Sequence, residues 1–361
     1  MDDQRRVPEP ELEHAVPEEP ADAAVIERER RQPLPDDAKD RRDGKAQEHG
    51  RGRSATTPSE IPKRGWKDIL LRVYRGIGDD RIPANAGAVT FFVLLALFPG
   101  IAALVSIYGL FADAGTIGKQ LDTLSLILPG GAIEVIGGEL TRLTSQPAAG
   151  LSIGFVFSLL LSLWSANGGL KAMFDALNTV YEEEEKRSFI RLNVLSLSFT
   201  VGMLLFVVVA LTCIVALPAI MEYLPGFVGT ILSIARWPVL AALVALALSL
   251  IFRYGPSRDT PQWRWITWGS AFAAVAWLIT SAVFSFYAAN FGTFNKTYGS
   301  LGAIMGFMLW IWISGIVILL GAKLNAEMEH QTARDSTEGY PERLGQRGAK
   351  MADTVGPAQG S

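Results

Sequence analysis

The amino-acid sequence predicts an all-α polytopic membrane protein with six transmembrane helices. Of its 361 residues, 49% are hydrophobic and 19% are charged, and the mean hydropathy is +0.25. The charges are concentrated near the two ends of the chain and in short segments between six largely uncharged runs. A helix needs about 20 apolar residues to cross the hydrocarbon core of a bilayer, so each run is a candidate span.

The two ends of the chain have a composition typical of disordered segments. Residues 1–60 contain 11 Lys or Arg and 16 Asp or Glu, with several prolines and no aromatic side chain. Such a segment cannot bury enough apolar surface to offset the entropy of ordering its backbone. We therefore expect disordered cytoplasmic tails at 1–60 and 331–361, on either side of a membrane domain at 61–330.

The six uncharged runs differ in how well they fit a membrane helix. They are 85–112, 151–174, 192–221, 236–254, 266–290 and 300–324. The fourth is the weakest, because Arg236 and Arg253 bracket only 16 uncharged residues. Arginines at helix ends can extend their guanidinium groups to the interface, so the fourth run stays in the prediction.

The distribution of Lys and Arg between the two sides of the membrane predicts the orientation. Short cytoplasmic segments carry an excess of these residues over external segments. One side collects Lys63, Arg64, Lys67, Arg72, Arg75, Arg81, Lys186, Arg187, Arg191, Arg253, Arg258 and Arg264, and the other only Lys119, Arg142, Arg236 and Lys296. Both termini are therefore predicted to be cytoplasmic.

Two regions outside the spans are predicted to form amphipathic interfacial helices. In the first external loop, apolar residues recur at the helical spacing of three and four, at Ile117, Leu121, Leu124 and Leu128 and then at Ile133, Ile136, Leu140 and Leu143. The second region, 64–82, precedes the first span. We expect the loop helices on the external surface of the bundle and the second region on the cytoplasmic interface.

Small residues predict how the last two spans pack. They are Gly269, which begins the small-residue stretch 269–276 of the fifth span, and Gly299, Gly302 and Gly306 at the start of the sixth. In lipid, small residues favour association because they let two helix backbones approach closely. We expect these glycines to pack spans five and six within one chain. The alternative is that the glycines form an interface between two copies of the chain, so the sequence also allows a homo-oligomer.

A polar segment precedes the sixth span on the predicted external side. We interpret Asn295 and Tyr298 as an outer entrance to a path through the protein. Tyrosines also collect at membrane interfaces as anchors, which is the commoner explanation. Asn85 and Asn193, at the ends of other spans, are interpreted as caps or interfacial anchors.

The second span ends in a stripe of polar residues. Asn167, Lys171, Asp175 and Asn178 are spaced 4-4-3, so they share one helical face, and Lys171 and Asp175 can pair at i,i+4. Ionisable residues within a span are costly and usually functional, which makes the stripe a candidate polar cavity. The alternative is that Lys171 lies near the cytoplasmic end and reaches water. Glu182–Glu185, just beyond, is interpreted as a solvated charge run.

Four segments together resemble the YihY/virulence factor BrkB family. They are ANAGAVTFFVLLALFPGI at 84–101, LWSANGGLKAMFDALNTVYEEEEKRSF at 163–189, YGPSRD with a following Trp at 254–265, and FNKTYGSLGAIMGFMLWIWISGIVILLGAKLNAE at 294–327. The resemblance covers about 60–330. It implies a six-helix bacterial inner-membrane protein with both ends cytoplasmic. Some members were formerly labelled ribonuclease BN, and others have been connected with the export of lipopolysaccharide precursors.

The residues favour transport or interaction over catalysis. No histidine lies between residues 60 and 329, the one cysteine is Cys213, and no metal-binding spacing or nucleophile motif is present, so we expect no catalytic residue, cofactor or nucleic-acid partner. We predict a transporter or a flippase of lipids or envelope precursors, with membrane lipids as partners and a lipid or lipopolysaccharide precursor as substrate. The alternative is a non-transporting envelope scaffold. A tRNA-processing ribonuclease is disfavoured.

Overall fold

The computed structural model describes residues 44–108, 153–221, 226–291 and 301–359. Apart from one isolated bridge between Pro261 and Thr337, the regular structure in these ranges is helical. The helices are α1 (Lys63–Asp79), α2 (Ile82–Tyr108), α3 (Ile153–Val180), α4 (Phe189–Met221), α5 (Gly226–Tyr254), α6 (Trp263–Phe291), α7 (Leu301–Glu329) and the short α8 (Lys350–Asp353), with one 3-10 turn at Pro58–Glu60.

Each predicted span coincides largely with one of the six long helices, α2 to α7. Several helices run beyond the predicted span: α5 begins earlier, at Gly226, and at their C-terminal ends α3 continues to Val180 and α7 to Glu329. The last two extensions are polar. Their extra turns carry polar side chains that are packed against other parts of the protein, so they were absent from a search for uncharged runs. The predicted loop helices between α2 and α3 lie outside the described residues.

Three described segments are long and apolar enough to cross a membrane. They are Phe189–Phe206 in α4, Trp263–Tyr287 in α6 and Ile304–Glu329 in α7. Ile82–Ala96 in α2 and Pro238–Tyr254 in α5 are shorter apolar segments.

Apolar side chains on the outer face of α6 are exposed at helical spacing. Trp268, Phe272, Val275, Ile279 and Val283 are each between 47% and 63% exposed. Contiguous apolar surface of this kind is rare on soluble proteins and is expected where lipid is the solvent. The stripe therefore supports a membrane location for α6.

The core of the described region joins α2, α3, α5, α6 and α7. The most extensive helix pair is α2 with α3, followed by α6 with α7. Leu177, Phe252, Ile266 and Leu319 are fully buried in this core. Helix α4 contacts the bundle more sparsely, along α3 and α5.

Glycines bring α6 and α7 together, at a different level from the one expected. Gly269 lies directly against the backbone carbonyl of Gly321, and a Cβ added at Gly321 would lie 2.6 Å from the Cβ of Ala273. A Cβ added at Gly306 would meet no described atom within 4 Å. The prediction was therefore wrong in assigning the contact to Gly306: the close approach lies about four turns further along α7.

Two glycines of that prediction remain, Gly302 and Gly299. Gly302 is buried. Gly299 lies outside the described residues, as do Asn295 and Tyr298 of the expected entrance. The close approach depends instead on Gly321, near the end of the predicted span 300–324, which lies against Gly269 and Ala273 of α6.

The terminal segments 45–62 and 330–359 pack together, and we call them the terminal cap. Arg53 donates from its guanidinium to the carbonyls of Gln331, at 3.2 Å, and Gly356, at 2.8 Å. The Thr332 hydroxyl donates to the carbonyl of Ala55 at 2.6 Å. Buried arginines that satisfy backbone carbonyls can order a segment that has few apolar groups.

The expected disorder is therefore corrected for residues 45–60 and 331–359. In the second of these ranges Arg347 is buried and donates to the carbonyls of Ala333, Arg334 and Ala352. Composition alone did not reveal these bonds, because it records the charge of an arginine and not what its guanidinium contacts. Residues 1–43 lie outside the described residues.

A buried ion pair connects the α5–α6 loop to the end of α7. Arg258 donates from both terminal nitrogens to Glu329, at 2.8 and 3.0 Å, and neither side chain is exposed. The guanidinium carbon lies 4.1 Å from the ring centroid of Tyr181, just after α3, and the Ser336 hydroxyl donates to Glu329 at 3.1 Å. This ion pair thus connects the end of α7 to the α5–α6 loop, to the loop after α3 and to the segment after α7.

We expect Arg258→Ala to destabilise the protein by about 3–5 kcal/mol, because it leaves the Glu329 carboxylate buried without a counter-ion. The measurement is thermal unfolding of the purified protein in detergent. Arg264→Ala is the matched control, since Arg264 is exposed and, within the part of the chain that the structure describes, its side chain bonds to Gln262 alone. Equal midpoints for the two variants would contradict the assigned role of the pair.

Candidate functional site

A groove of about 500 Å³ opens between α2 and α3. It has both polar and apolar walls. The lining residues are Asn85, Ala88, Phe92, Leu95, Trp164, Ser165, Asn167, Gly168, Lys171, Ala172 and Asp175. Among the described residues, this groove is the place where the polar stripe of α3 meets open space.

The width of the groove is set by small residues of α3. A Cβ added at Gly168 would lie 3.0 Å from the Cδ1 of Phe92, and one at Gly169 would lie 3.7 Å from the Cβ of Phe92. The two glycines therefore let α3 approach α2 closely at Phe92. Ser165 and Ala172, one turn to either side, are short side chains that leave room for a groove beside this contact.

Three of the four predicted stripe residues lie together in the groove, but the predicted ion pair is absent. Lys171 donates from Nζ to the Oδ1 of Asn193 in α4, at 2.5 Å, and its ammonium lies 5.8 Å from the ring centroid of Phe189. Asp175 is exposed, and its carboxylate has no hydrogen-bond or ion-pair partner in the part of the chain that the structure describes. The groove thus contains one tethered cation and one free anion.

Asn167 lies one turn before Lys171 and is 8% exposed. Its Oδ1 is buried and has no hydrogen-bond partner among the described residues. A buried acceptor without a donor costs about 1–3 kcal/mol, and such groups often mark places where a ligand or water completes the hydrogen bonding. Asn85, across the groove on α2, is already engaged, because its Nδ2 donates to the carbonyl of Asp80 at 2.9 Å.

The fourth stripe residue, Asn178, lies away from the groove. Its Oδ1 accepts a bond of 2.7 Å from the backbone N–H of Ser257, and its Nδ2 donates to Glu185 at 3.1 Å. Asn178 therefore joins the loop after α3 to the loop after α5. The sequence spacing placed Asn178 on the same face as the other three residues. At this level, however, that face turns from the groove towards the loops at 181–188 and 255–262, which together we call the loop layer.

The Glu182–Glu185 run is only partly solvated, which corrects the simple interpretation. Glu183 is buried and accepts a bond of 2.6 Å from the backbone N–H of Lys350 in the terminal cap. Glu185 accepts bonds from the Arg187 guanidinium at 2.6 and 2.7 Å. Glu183 is the buried residue of the run, and Glu182, Glu184 and Glu185 are exposed.

Two carboxyl groups near the loop layer have shifted pKa values of opposite sign. Partial burial raises the pKa of Glu185, but hydrogen bonds from Arg187 and Asn178 outweigh burial and lower that pKa to about 2. Burial is the main cause for Asp80, and it raises the pKa of that carboxyl even though the Lys323 ammonium lies 2.9 Å away. Glu185 is therefore a fixed negative charge at neutral pH.

Two asparagines at helix ends were noticed in the sequence, but they were not predicted to belong to the site. Asn85 and Asn193 were interpreted as helix-end anchors, yet Asn85 lines the groove and Asn193 holds Lys171. Trp164, which is 71% exposed at the groove, gave no specific signal. Pairing between α3 and its neighbours cannot be read from the spacing of residues along α3 alone.

We expect the unfolding free energies of Lys171→Ala and Asn193→Ala to be coupled by about 1 kcal/mol or more, because the two side chains share a charge-assisted hydrogen bond. The coupling between Lys171→Ala and Asp175→Ala should be near zero. Thermal unfolding of the single and double variants in detergent measures both. A larger coupling with Asp175 than with Asn193 would show that the Lys171 ammonium pairs with Asp175, and it would contradict the bond to Asn193.

Comparison with known proteins identifies the family. The profile of the family described as Virulence factor BrkB matches residues 73–344. The chain is 29% identical over 249 residues to the ribonuclease-like protein YfkH of Bacillus subtilis (strain 168), which covers 67% of this chain and 88% of that protein. It is 25% identical over 284 residues to a UPF0761 membrane protein of Alteromonas mediterranea, with coverage of 77% and 93%.

A further relative is longer than the matched region. The chain is 24% identical over 286 residues to a UPF0761 membrane protein of Methylibium petroleiphilum, covering 76% of this chain and 66% of that protein. No solved structure matches the chain. The matched region includes all six long helices, the groove and most of the loop layer, and on that evidence this chain belongs to the Virulence factor BrkB family of membrane proteins.

Proposed function

We propose that this chain is a six-span protein of the bacterial inner membrane with both termini in the cytoplasm. Helices α2 to α7 have 27 to 33 residues, and a 27-residue helix is about 40 Å long, more than the hydrocarbon thickness of about 30 Å. In the terminal cap, Arg53 bonds to Gln331 and Gly356, so the segments before α2 and after α7 share one side. That arrangement needs an even number of crossings.

Helix α1 supports the assignment of the terminal cap to the cytoplasmic side. Its buried face carries Asp68 and Arg72, which bond to other polar groups, while Lys67, Leu70 and Tyr74 are exposed. A face that combines lysine with exposed apolar side chains suits the boundary between lipid head groups and acyl chains. Basic interfacial helices favour the anionic cytoplasmic leaflet.

We expect reporter fusions after residues 187, 259 and 335 to be active on the cytoplasmic side and fusions near 122, 228 and 295 on the external side. The reason is the excess of Lys and Arg in the first group of segments. Paired enzymatic reporters, one active only in each compartment, provide the measurement. A cytoplasmic result near residue 122 would overturn the proposed orientation.

We further propose that the protein moves an amphiphile across the membrane along the groove between α2 and α3. The observation that carries this proposal is the combination, in one groove, of the charged residues Lys171 and Asp175 with the apolar side chains Phe92, Leu95 and Trp164. Charged groups within a membrane helix that face a cavity mark substrate pathways. A lipid or an envelope precursor carries a polar head and an apolar tail that match the two walls.

Catalysis and scaffolding are the competing functions. The name of the relative YfkH refers to a ribonuclease, and it says nothing of the residues in this chain. We propose that the protein is not an enzyme, since the groove residues offer charge and hydrogen bonding to a ligand and no pair arranged as nucleophile and base. A scaffold would use the protein surface and would not need the groove.

We expect the purified full chain, reconstituted into vesicles, to accelerate the transfer of labelled amphiphiles between leaflets. Lys171→Ala and Asp175→Ala should each slow the transfer about tenfold or more, because each removes a charge that stabilises a polar head away from water. Arg343→Ala, an exposed charge in the terminal cap, is the control and should be neutral. If a panel of lipids and small solutes shows no protein-dependent transfer, the scaffold explanation replaces transport.

A further inference from the structure

We propose that the groove recognises a zwitterionic phospholipid head group, with the phosphate at Lys171 and a primary ammonium group at Asp175. This inference rests on the proposed function and names its substrate class. Its basis is that the groove presents a positive and a negative side chain that do not neutralise each other.

The separation of the two charges is built into the helix packing. Asn193 of α4 holds the Lys171 ammonium at 2.5 Å, and the Asp175 carboxylate keeps no partner in the described part of the chain. A lysine ammonium has three N–H donors, so the bond to Asn193 leaves two for a ligand. An ionised carboxylate has about four acceptor positions, all open at Asp175.

The anionic end of the groove selects for a head group that can donate hydrogen bonds. A primary ammonium group has three N–H donors for the open acceptor positions of the Asp175 carboxylate, whereas a quaternary ammonium has no N–H to donate. The buried Oδ1 of Asn167, which has no partner among the described residues, lies two turns away on α3, about 12 Å along the helix, and is out of reach of the same ammonium. The groove therefore distinguishes between two zwitterionic head groups by hydrogen bonding at Asp175.

The apolar wall determines that the ligand carries acyl chains. Trp164 is 71% exposed and Leu95 is 47% exposed, and both line the same groove as the charges. Burial of acyl carbons against these side chains contributes about 0.8 kcal/mol per methylene group, which a soluble head group cannot supply. A lipid with a purely anionic head would fill the Lys171 end but bring a negative phosphate near Asp175 with no ammonium to offset it.

The test is native mass spectrometry of the full chain in detergent with lipids of identical acyl chains. The lipids are phosphatidylethanolamine, phosphatidylcholine and phosphatidylglycerol, and soluble glycerophosphoethanolamine is the fourth probe. We expect phosphatidylethanolamine to bind about tenfold more tightly than the other two lipids, and the soluble probe to bind weakly. Equal binding of the three lipids, or soluble head group binding as tightly as the lipid, would overturn the assignment.

Variants assign the selectivity to the groove. Asp175→Asn should abolish the preference for phosphatidylethanolamine. Lys171→Ala should weaken the binding of all three lipids, since all three carry a phosphate. Glu184→Gln is the matched control, because Glu184 is an exposed carboxylate on the loop after α3 and outside the groove. A preference that survives Asp175→Asn unchanged contradicts the proposal even if the wild type is selective.

The binding assay separates this inference from the proposed transport function. Selective binding without transfer in vesicles would leave the recognition site in place and remove the transport proposal. Transfer of all three lipids at equal rates, with equal binding, would leave transport in place and remove the head-group assignment.

Discussion

The bidentate pair between Arg258 and Glu329 is the constraint on which the loop side of the protein depends. Its two charges are fully removed from water, so each requires the other and the hydrogen bonds around it. Because Tyr181 and Ser336 also contact the pair, it fixes the end of α3, the α5–α6 loop, the end of α7 and the terminal cap in one arrangement. Loops that are short and charged in the sequence thereby become a rigid layer.

This layer also determines where the polar ends of the long helices lie. Arg72 of α1 bonds to Glu327 at 2.5 Å, and Lys323 lies between Glu327 and Asp80. Lys323 and Glu327 belong to the last turns of α7, and Glu327 lies beyond the uncharged run 300–324. Buried charge of this kind adds little net stability, but it penalises any arrangement in which one partner is missing. We infer that the layer contributes specificity of packing more than stability.

The groove has a different physical origin. Gly168 and Gly169 allow α3 to approach α2, and the short residues beside them leave an open volume next to that contact. Asn193 of α4 then holds the Lys171 ammonium, which prevents it from closing on Asp175. Three helices thus cooperate to keep opposite charges apart inside a largely apolar bundle, and this separation is the property that the proposed ligand would use.

The fold was largely predictable, because long apolar runs can satisfy their backbone groups in a membrane only as helices. The polar stripe on α3 was also visible, since Asn167, Lys171 and Asp175 follow the helical period. The stripe did not reveal that Asn178 turns to the loop layer, where it bonds to Ser257. Periodicity specifies a face of one helix, and the neighbours of that face depend on other segments.

The sequence by itself determined the helices, the family and the polar stripe Asn167, Lys171 and Asp175, because these follow from local hydropathy, motif order and spacing. Only the tertiary structure decided the partners of the charges. Lys171 pairs with Asn193, 22 residues away, and Arg53 with carbonyls about 280 to 300 residues away. The same difference explains why 331–359 reads as disordered yet packs: its order comes from hydrogen bonds to distant buried arginines, which no local composition records.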